Sequence, residues 1–173
     1  MRSFNSPIDW QLDLAFNAAE EDIWGALMDA ESKARITKED AWHQDLQAWI
    51  QFIMTDLRSP CPGIVRTSSS LSMGLRFTDD KTIADLNAVW RQTCKKTDVL
   101  SFPALDKSIV LPEGQCIELG DIIISVPTAE HQAMEHSHGL LRELRWLVSH
   151  GLLHLFGWDH PNPKRLNEML TYQ

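Results

Sequence analysis

Residues 150–160 read His150-Gly151-Leu152-Leu153-His154-Leu155-Phe156-Gly157-Trp158-Asp159-His160, which places three imidazoles within one short stretch. His150 and His154 stand four apart, so on a helix both side chains leave the same face, one turn from each other. Gly157 suits the left-handed conformation that ends a helix and turns the chain, and the return brings His160 within reach of the first two. Three neutral imidazoles converging on one point suit Zn²⁺ or another late first-row divalent ion, with a fourth position open to water. An open position marks a catalytic rather than a structural site. The surrounding Leu152, Leu153, Leu155 and Phe156 make the helix otherwise apolar, and burying several unpartnered imidazoles there would be costly.

The spacing HxxxHxxGxxH is also the zinc-binding spacing of the metzincin proteases, which carry Glu directly after the first His as general base. Here that position is Gly151, so the metal-site reading stands and peptide hydrolysis by that route does not follow. Asp159 is either an acceptor for a ligand ring N–H or a turn residue. His131, His136 and His138 read as a polar, partly solvated loop before the helix. Glu130, Glu135 and Glu143 could supply a base, but solvated helix-surface acids are the commoner reading. A second cationic stretch holds Arg91, Lys95 and Lys96 with no acid until Asp98. On spacing alone these charges answer the negative end of a helix dipole; the other role is Arg91 as a bidentate phosphate clamp.

The elements that must position these groups follow from hydrophobic period. Residues 8–16 alternate, with Ile8, Trp10, Leu12, Leu14 and Phe16 on one face of a half-buried strand. Residues 17–57 are helix-rich. Thr37 and Asp40 resemble a capping box before a helix over 39–57, whose apolar positions are Trp42, Leu46, Trp49, Ile50, Ile53 and Leu57. Residues 59–63 (SPCPG) break the chain and Ser68–Ser70 continue the loop. Leu71, Met73, Leu75 and Phe77 alternate as a second strand. Thr78-Asp79-Asp80 offers an N-cap to a helix carrying Ile83, Leu86, Val89 and Trp90. Val99–Phe102 is a short strand, and the apolar run Ile122–Val126 predicts a central one. Helix is expected from about 128 to 156, then a last short helix after Pro163. The expectation is an α/β (α+β) fold: a single domain over 1–173, a small mixed sheet packed with helices, the metal-binding helix near the C-terminus.

The chain has 173 residues, 24 acidic against 16 basic side chains and a formal net charge of −8. That length suits one domain. The acidic balance argues against a protein that coats DNA or RNA, because such binding needs a basic surface. The imbalance is local: residues 1–60 hold 11 acids and 5 bases, residues 61–173 hold 13 and 11. No stretch approaches the roughly 20 apolar residues of a membrane helix, and the first residues lack the apolar core of a secretory signal. Cys61, Cys94 and Cys116 are odd in number and form no CxxC pair, so buried, reduced thiols in a cytoplasmic protein are expected.

Taken together, the segments resemble a known family. Residues 150–160 are similar to the H-G-x-L-H-L-x-G-Y-D-H signature of the YbeY endoribonuclease and ribosomal RNA maturation family. Thr97–Pro103 resembles a second family motif, Asn87–Arg91 the N-x-x-W/Y-R before it, Leu119–Ile122 the L-G-D-I strand, and Arg142–Leu144 a stretch just ahead of the histidines. Order and spacing agree from about residue 71 to 170. Trp158 stands where the family usually has Tyr, and residues 1–60 match only in a first strand and helix. The resemblance implies one zinc ion per chain on His150, His154 and His160. It implies a metal-dependent, single-strand-specific endoribonuclease of ribosomal RNA 3′-end maturation and ribosome quality control. His150 would serve in catalysis as well as ligation, and Arg91 would be the family's cleft arginine, which moves the preference to the phosphate clamp. Expected partners are single-stranded or ribosomal RNA and the ribosome or its proteins, with no DNA and no membrane. The rival expectations are a metal-dependent hydrolase of another substrate, such as a peptide, and a non-catalytic ribosome assembly factor with structural zinc.

Overall fold

The computed structural model describes residues 10–24, 30–105 and 115–173. In chain order the elements are β1 (Gln11–Asn17), a 3-10 turn (Glu21–Ile23), α1 (Ala30–Thr37), α2 (Glu39–Thr55), α3 (Gly63–Arg66), β2 (Ser70–Thr78), α4 (Asp80–Arg91), β3 (Val99–Pro103), β4 (Ile117–Ser125), α5 (Val126–Glu135), α6 (Leu140–Leu155) and α7 (Pro163–Tyr172). The four strands form one mixed sheet in the order β1-β2-β4-β3. β1, β2 and β4 run parallel, and β3 is the antiparallel edge. The α/β expectation is met.

Alternation sets the sheet's inner face. Leu12 and Leu14 of β1 are buried, as are Leu71, Met73, Leu75 and Phe77 of β2. β4 buries Ile117, Leu119, Ile122 and Ile124, as a strand flanked on both sides should. Phe77 anchors an aromatic cluster, with the rings of Phe16, Trp24 and Trp42 edge-on to it at 5.7, 5.9 and 5.3 Å. α2 packs on β1, and α6 packs on β3 and β4. Asp45 of α2 accepts from Arg145 of α6 at 3.0 Å, an ion pair that links the two helices. Among the described residues no helix is long and apolar enough to cross a membrane.

Several expectations are corrected. The first strand starts at Gln11; Trp10 is buried just ahead of it, and Ile8 lies outside the described residues. Thr37 does not cap α2: it ends α1, its hydroxyl donating to the Lys33 carbonyl at 2.9 Å, and Lys38 takes the cap position without a side-chain bond. Leu57 lies past the helix end and is 90% exposed. Within the supposed loop of 59–70 the chain makes the single turn α3, started by Pro62. Its Arg66 guanidinium donates to the carbonyls of Met54, Asp56, Ser59 and Cys61, satisfying backbone groups that a plain loop would leave to solvent. The helical run 128–156 is two helices, broken at 136–139. Cys61 is buried, but Cys94 and Cys116 are exposed.

α4 begins where Asp79 predicts. Its carboxylate accepts from the Thr82 N–H at 2.6 Å, and that bond holds its pKa below the usual carboxylate value. A carboxylate so depressed stabilises the fold above its unfolded pKa and ceases to as pH falls through its folded one. Asp79→Ala is expected to cost about 1 kcal/mol at pH 7. In urea melts the gap should narrow below pH 4; a gap unchanged with pH would contradict the cap. The far half of α4 departs from expectation: Ile83 and Asn87 are buried, while Val89 and Trp90 are 74% and 67% exposed. The buried face follows 83 and 87, one helical repeat apart, and leaves 89 and 90 outward.

Candidate metal centre

α6 presents His150 and His154 from its last turn and a half. The helix then ends as Gly157 predicts. Gly157 takes φ 92°, its N–H reaches the His154 carbonyl at 2.9 Å, and the Trp158 N–H reaches that of Leu153 at 3.0 Å. These two bonds reverse the chain, and only glycine adopts that φ without strain. The return segment carries His160, whose N–H bonds the Asp159 carboxylate at 2.8 Å. Asp159 thus accepts from a backbone N–H, and among the described residues it bonds no imidazole.

The three rings converge. Centroids lie 4.9 Å apart for His150–His154, 5.6 Å for His150–His160 and 4.9 Å for His154–His160. One nitrogen from each ring falls within 4.8 Å of the others. The Nε2 atoms of His150 and His154 are 3.2 Å apart. Two nitrogens each about 2.0 Å from one tetrahedral ion stand about 3.3 Å apart, so the donor set fits zinc-class coordination. The tautomer fits as well. Gln173 donates through Nε2 to the Trp146 carbonyl at 2.7 Å and to Ser149 Oγ at 2.8 Å. Its Oε1 therefore faces His150 Nδ1, at 3.3 Å, as an acceptor. That puts the His150 proton on Nδ1 and leaves Nε2 as a free donor toward the cluster. Trp158 keeps the aromatic role at its position, packing 4.9 Å from the Tyr172 ring and so seating α7 and Gln173 against the site.

Burial pushes the pKa of His154 down from 6.5 to about 4, and the neighbouring imidazoles push the same way. Burial also lowers His150, with the Gln173 bond and the charge of Asp98 acting against it. Both rings are neutral at pH 7, as ligands must be. For metal-free protein the sign follows: between pH 6.5 and about 4 the unfolded chain binds more protons at His154 than the folded one. Chelator-treated protein should lose stability as pH falls through that window. Urea midpoints at pH 7 and 4.5 test this; His154→Gln should flatten the dependence, and an unchanged slope would refute it.

Gly151 has a packing reason. A Cβ there would lie 2.9 Å from Ile122 Cγ2 and 3.0 Å from Ser101 Oγ. α6 touches β3 and β4 at this residue, and any side chain there must push Ile122 aside.

Arg91 ends α4, exposed, and among the described residues nothing pairs with its guanidinium. The loop behind it is pinned. Buried Asn87 donates to the Lys95 carbonyl at 2.8 Å, its own carbonyl accepts from the Thr93 N–H, and Gln92 stands in the left-handed region at φ 54°. Lys96 is engaged, its ammonium 2.6 Å from Asp80. Asp98 bonds the Val99 N–H and Gln132 Nε2, fixing the strand entry beside His150. Glu143 corrects its expectation: it is 2% exposed, on the inner side of α6, and meets His136 and His138. Gln173 was not expected at all; nothing local marks a residue 23 positions from its partner.

A family model described as Endoribonuclease YbeY matches residues 28–173. An Endoribonuclease YbeY of Prochlorococcus marinus (strain MIT 9313) is 58% identical over 97% of this chain and 90% of its own. One from Synechococcus sp. (strain CC9311) is 50% identical over 94% and 92%. Another, from Parasynechococcus marenigrum (strain WH8102), is 51% identical over 94% and 85%.

Proposed function

We propose, from a chain that belongs to the Endoribonuclease YbeY family, a metal-dependent endoribonuclease that cuts single-stranded RNA in the cytoplasm. Its task is ribosomal RNA 3′-end maturation and ribosome quality control, with ribosomal RNA, and the ribosome or its proteins, as partners. The observation that carries the reading is the convergence of His150, His154 and His160 with their nitrogens within 4.8 Å. One domain over 1–173 does this work, and the preferred ion is zinc, one at these three histidines.

His150, His154 and His160 would hold the ion, and Gln173 fixes the ring of His150. A zinc-class ion held there would supply Lewis acidity for phosphodiester hydrolysis and would lower the pKa of a water. Arg91 is the phosphate clamp: a free guanidinium on a rigid helix end, presenting paired N–H donors to two phosphate oxygens as negative charge develops. Lys95 extends the cationic strip along the strand, while Lys96 is occupied by Asp80. Contact of Gly151 with the sheet argues against peptide hydrolysis, because the metzincin base has no room.

Arg91→Ala is expected to slow cleavage of a single-stranded RNA by roughly 100-fold and leave metal content unchanged. Chelator should abolish cleavage by the wild type. If Arg91→Ala cuts RNA and leaves ribosomal RNA ends as the wild type does, the clamp is wrong; if no RNA is cut but ribosome assembly still requires the protein, the structural-zinc alternative holds.

A further inference from the structure

The turn between α5 and α6 brings together another set of nitrogen and oxygen donors. Two residues past the end of α5, Ser137 takes φ 57°, the His138 N–H reaching the Ala133 carbonyl at 3.0 Å and the Ser137 N–H reaching that of Met134 at 3.1 Å. Glycine normally fills this left-handed position, and a serine there costs on the order of 1 kcal/mol. The turn aims the imidazoles on either side of it at one carboxylate oxygen. His136 Nδ1 lies 3.3 Å and His138 Nε2 3.0 Å from Oε2 of Glu143.

Glu143 is 2% exposed, and among the described residues its carboxylate meets only these two rings. A buried carboxylate needs positive charge beside it, and a divalent ion held among the three side chains supplies it. The other nitrogen of His138, Nδ1, lies 3.3 Å from the Gly139 carbonyl oxygen. Metal-bound histidines show this arrangement, the second nitrogen donating to a backbone carbonyl. With the proton on Nδ1, Nε2 points a lone pair at the Glu143 oxygen. Two acceptors about 3 Å apart form the edge of a coordination sphere whose bonds are about 2.0 Å. The donor atoms of all three residues lie within 4.8 Å of one another.

We propose that His136, His138 and Glu143 form a second divalent-cation site, of the two-histidine, one-carboxylate kind that suits zinc and other late first-row ions. Glu143 and His150 are seven residues apart on α6, which is about 10 Å along the axis. Ions that share one phosphate stand about 3.5–4 Å apart. The second ion therefore takes no part in a two-metal cleavage. It clamps the end of α5 to the helix that presents His150 and His154, and it offsets the charge of a buried acid.

The test counts ions and needs no RNA, so it is independent of the nuclease reading. Full-length protein is stripped with chelator, reloaded with Zn²⁺ or Co²⁺, dialysed and analysed for metal, with helix content followed by circular dichroism. Wild type should hold about two ions per chain; His136→Ala and Glu143→Gln, like His154→Ala, should hold about one; the His136→Ala/His154→Ala pair should hold about none. His136 is exposed, so its loss leaves the core intact. A wild type that takes up a single ion, or a His136→Ala protein that takes up as many as the wild type, overturns the proposal.

Discussion

His154→Ala should lower cleavage of single-stranded RNA by at least roughly a thousandfold, equivalent to about 4 kcal/mol of transition-state stabilisation. His154 is the middle member of the triad, with its centroid 4.9 Å from both other rings. Removing it leaves two donors on separate segments, which hold an ion far less tightly than three. The fold should survive, because the ring is only half-buried and the helix turn beneath it depends on backbone bonds from Gly157 and Trp158. Purified variant and wild type are compared on the same RNA, with and without chelator, alongside circular dichroism. Equal cleavage by the two proteins would mean that a contaminant does the cutting, and the nuclease assignment would fall.

Gly151→Glu, which restores the metzincin carboxylate in sequence, should yield a protein that does not fold stably. The new Cβ meets the branched Cγ2 of Ile122 at 2.9 Å, a group held by its own β-strand, before the rest of the side chain is placed. Overpacking of this kind costs about 1–3 kcal/mol, and a carboxylate driven between helix and sheet adds several more. The sum, about 5 kcal/mol or above, is a large part of a small domain's total stability. Gly151→Ala should cost less, since alanine's better helix propensity returns about 1 kcal/mol. Urea melts of the three proteins order them; a Gly151→Glu protein with a wild-type midpoint would show that the helix can lift off the sheet.

The triad was legible because all of its determinants are local: the i, i+4 pair, the glycine that must turn left-handed, and the histidine that follows. The strands were legible by alternation, and β4 by its continuous apolar run. What escaped depends on contacts distant in sequence. Glu143 looks like a surface acid until α5 turns back over it, and the Gln173 side chain finds its partners on α6, more than 20 positions away. Val89 and Trp90 look like core because they are apolar, but α4 buries the face of Ile83 and Asn87 instead. The split at 136–139 was masked because Ser137, not glycine, takes the left-handed position there. Thr37 and Asp40 have cap-forming types, yet the threonine was already bound within the preceding helix.

The strand order carries a kinetic corollary. No ladder of this sheet joins near neighbours in the chain: β1 pairs with β2 from Gln11 to Ser70, β2 with β4 from Leu71 to Ile117, and even the antiparallel pair closes no tighter than Pro103 with Gly120. Such a topology folds slowly, since long loops must close before any ladder forms. His150, His154 and His160, by contrast, sit within one helix and its terminal turn, close together in the chain. To the extent that a chain still awaiting its sheet chelates through them, a bound ion protects the native state less than its affinity would suggest.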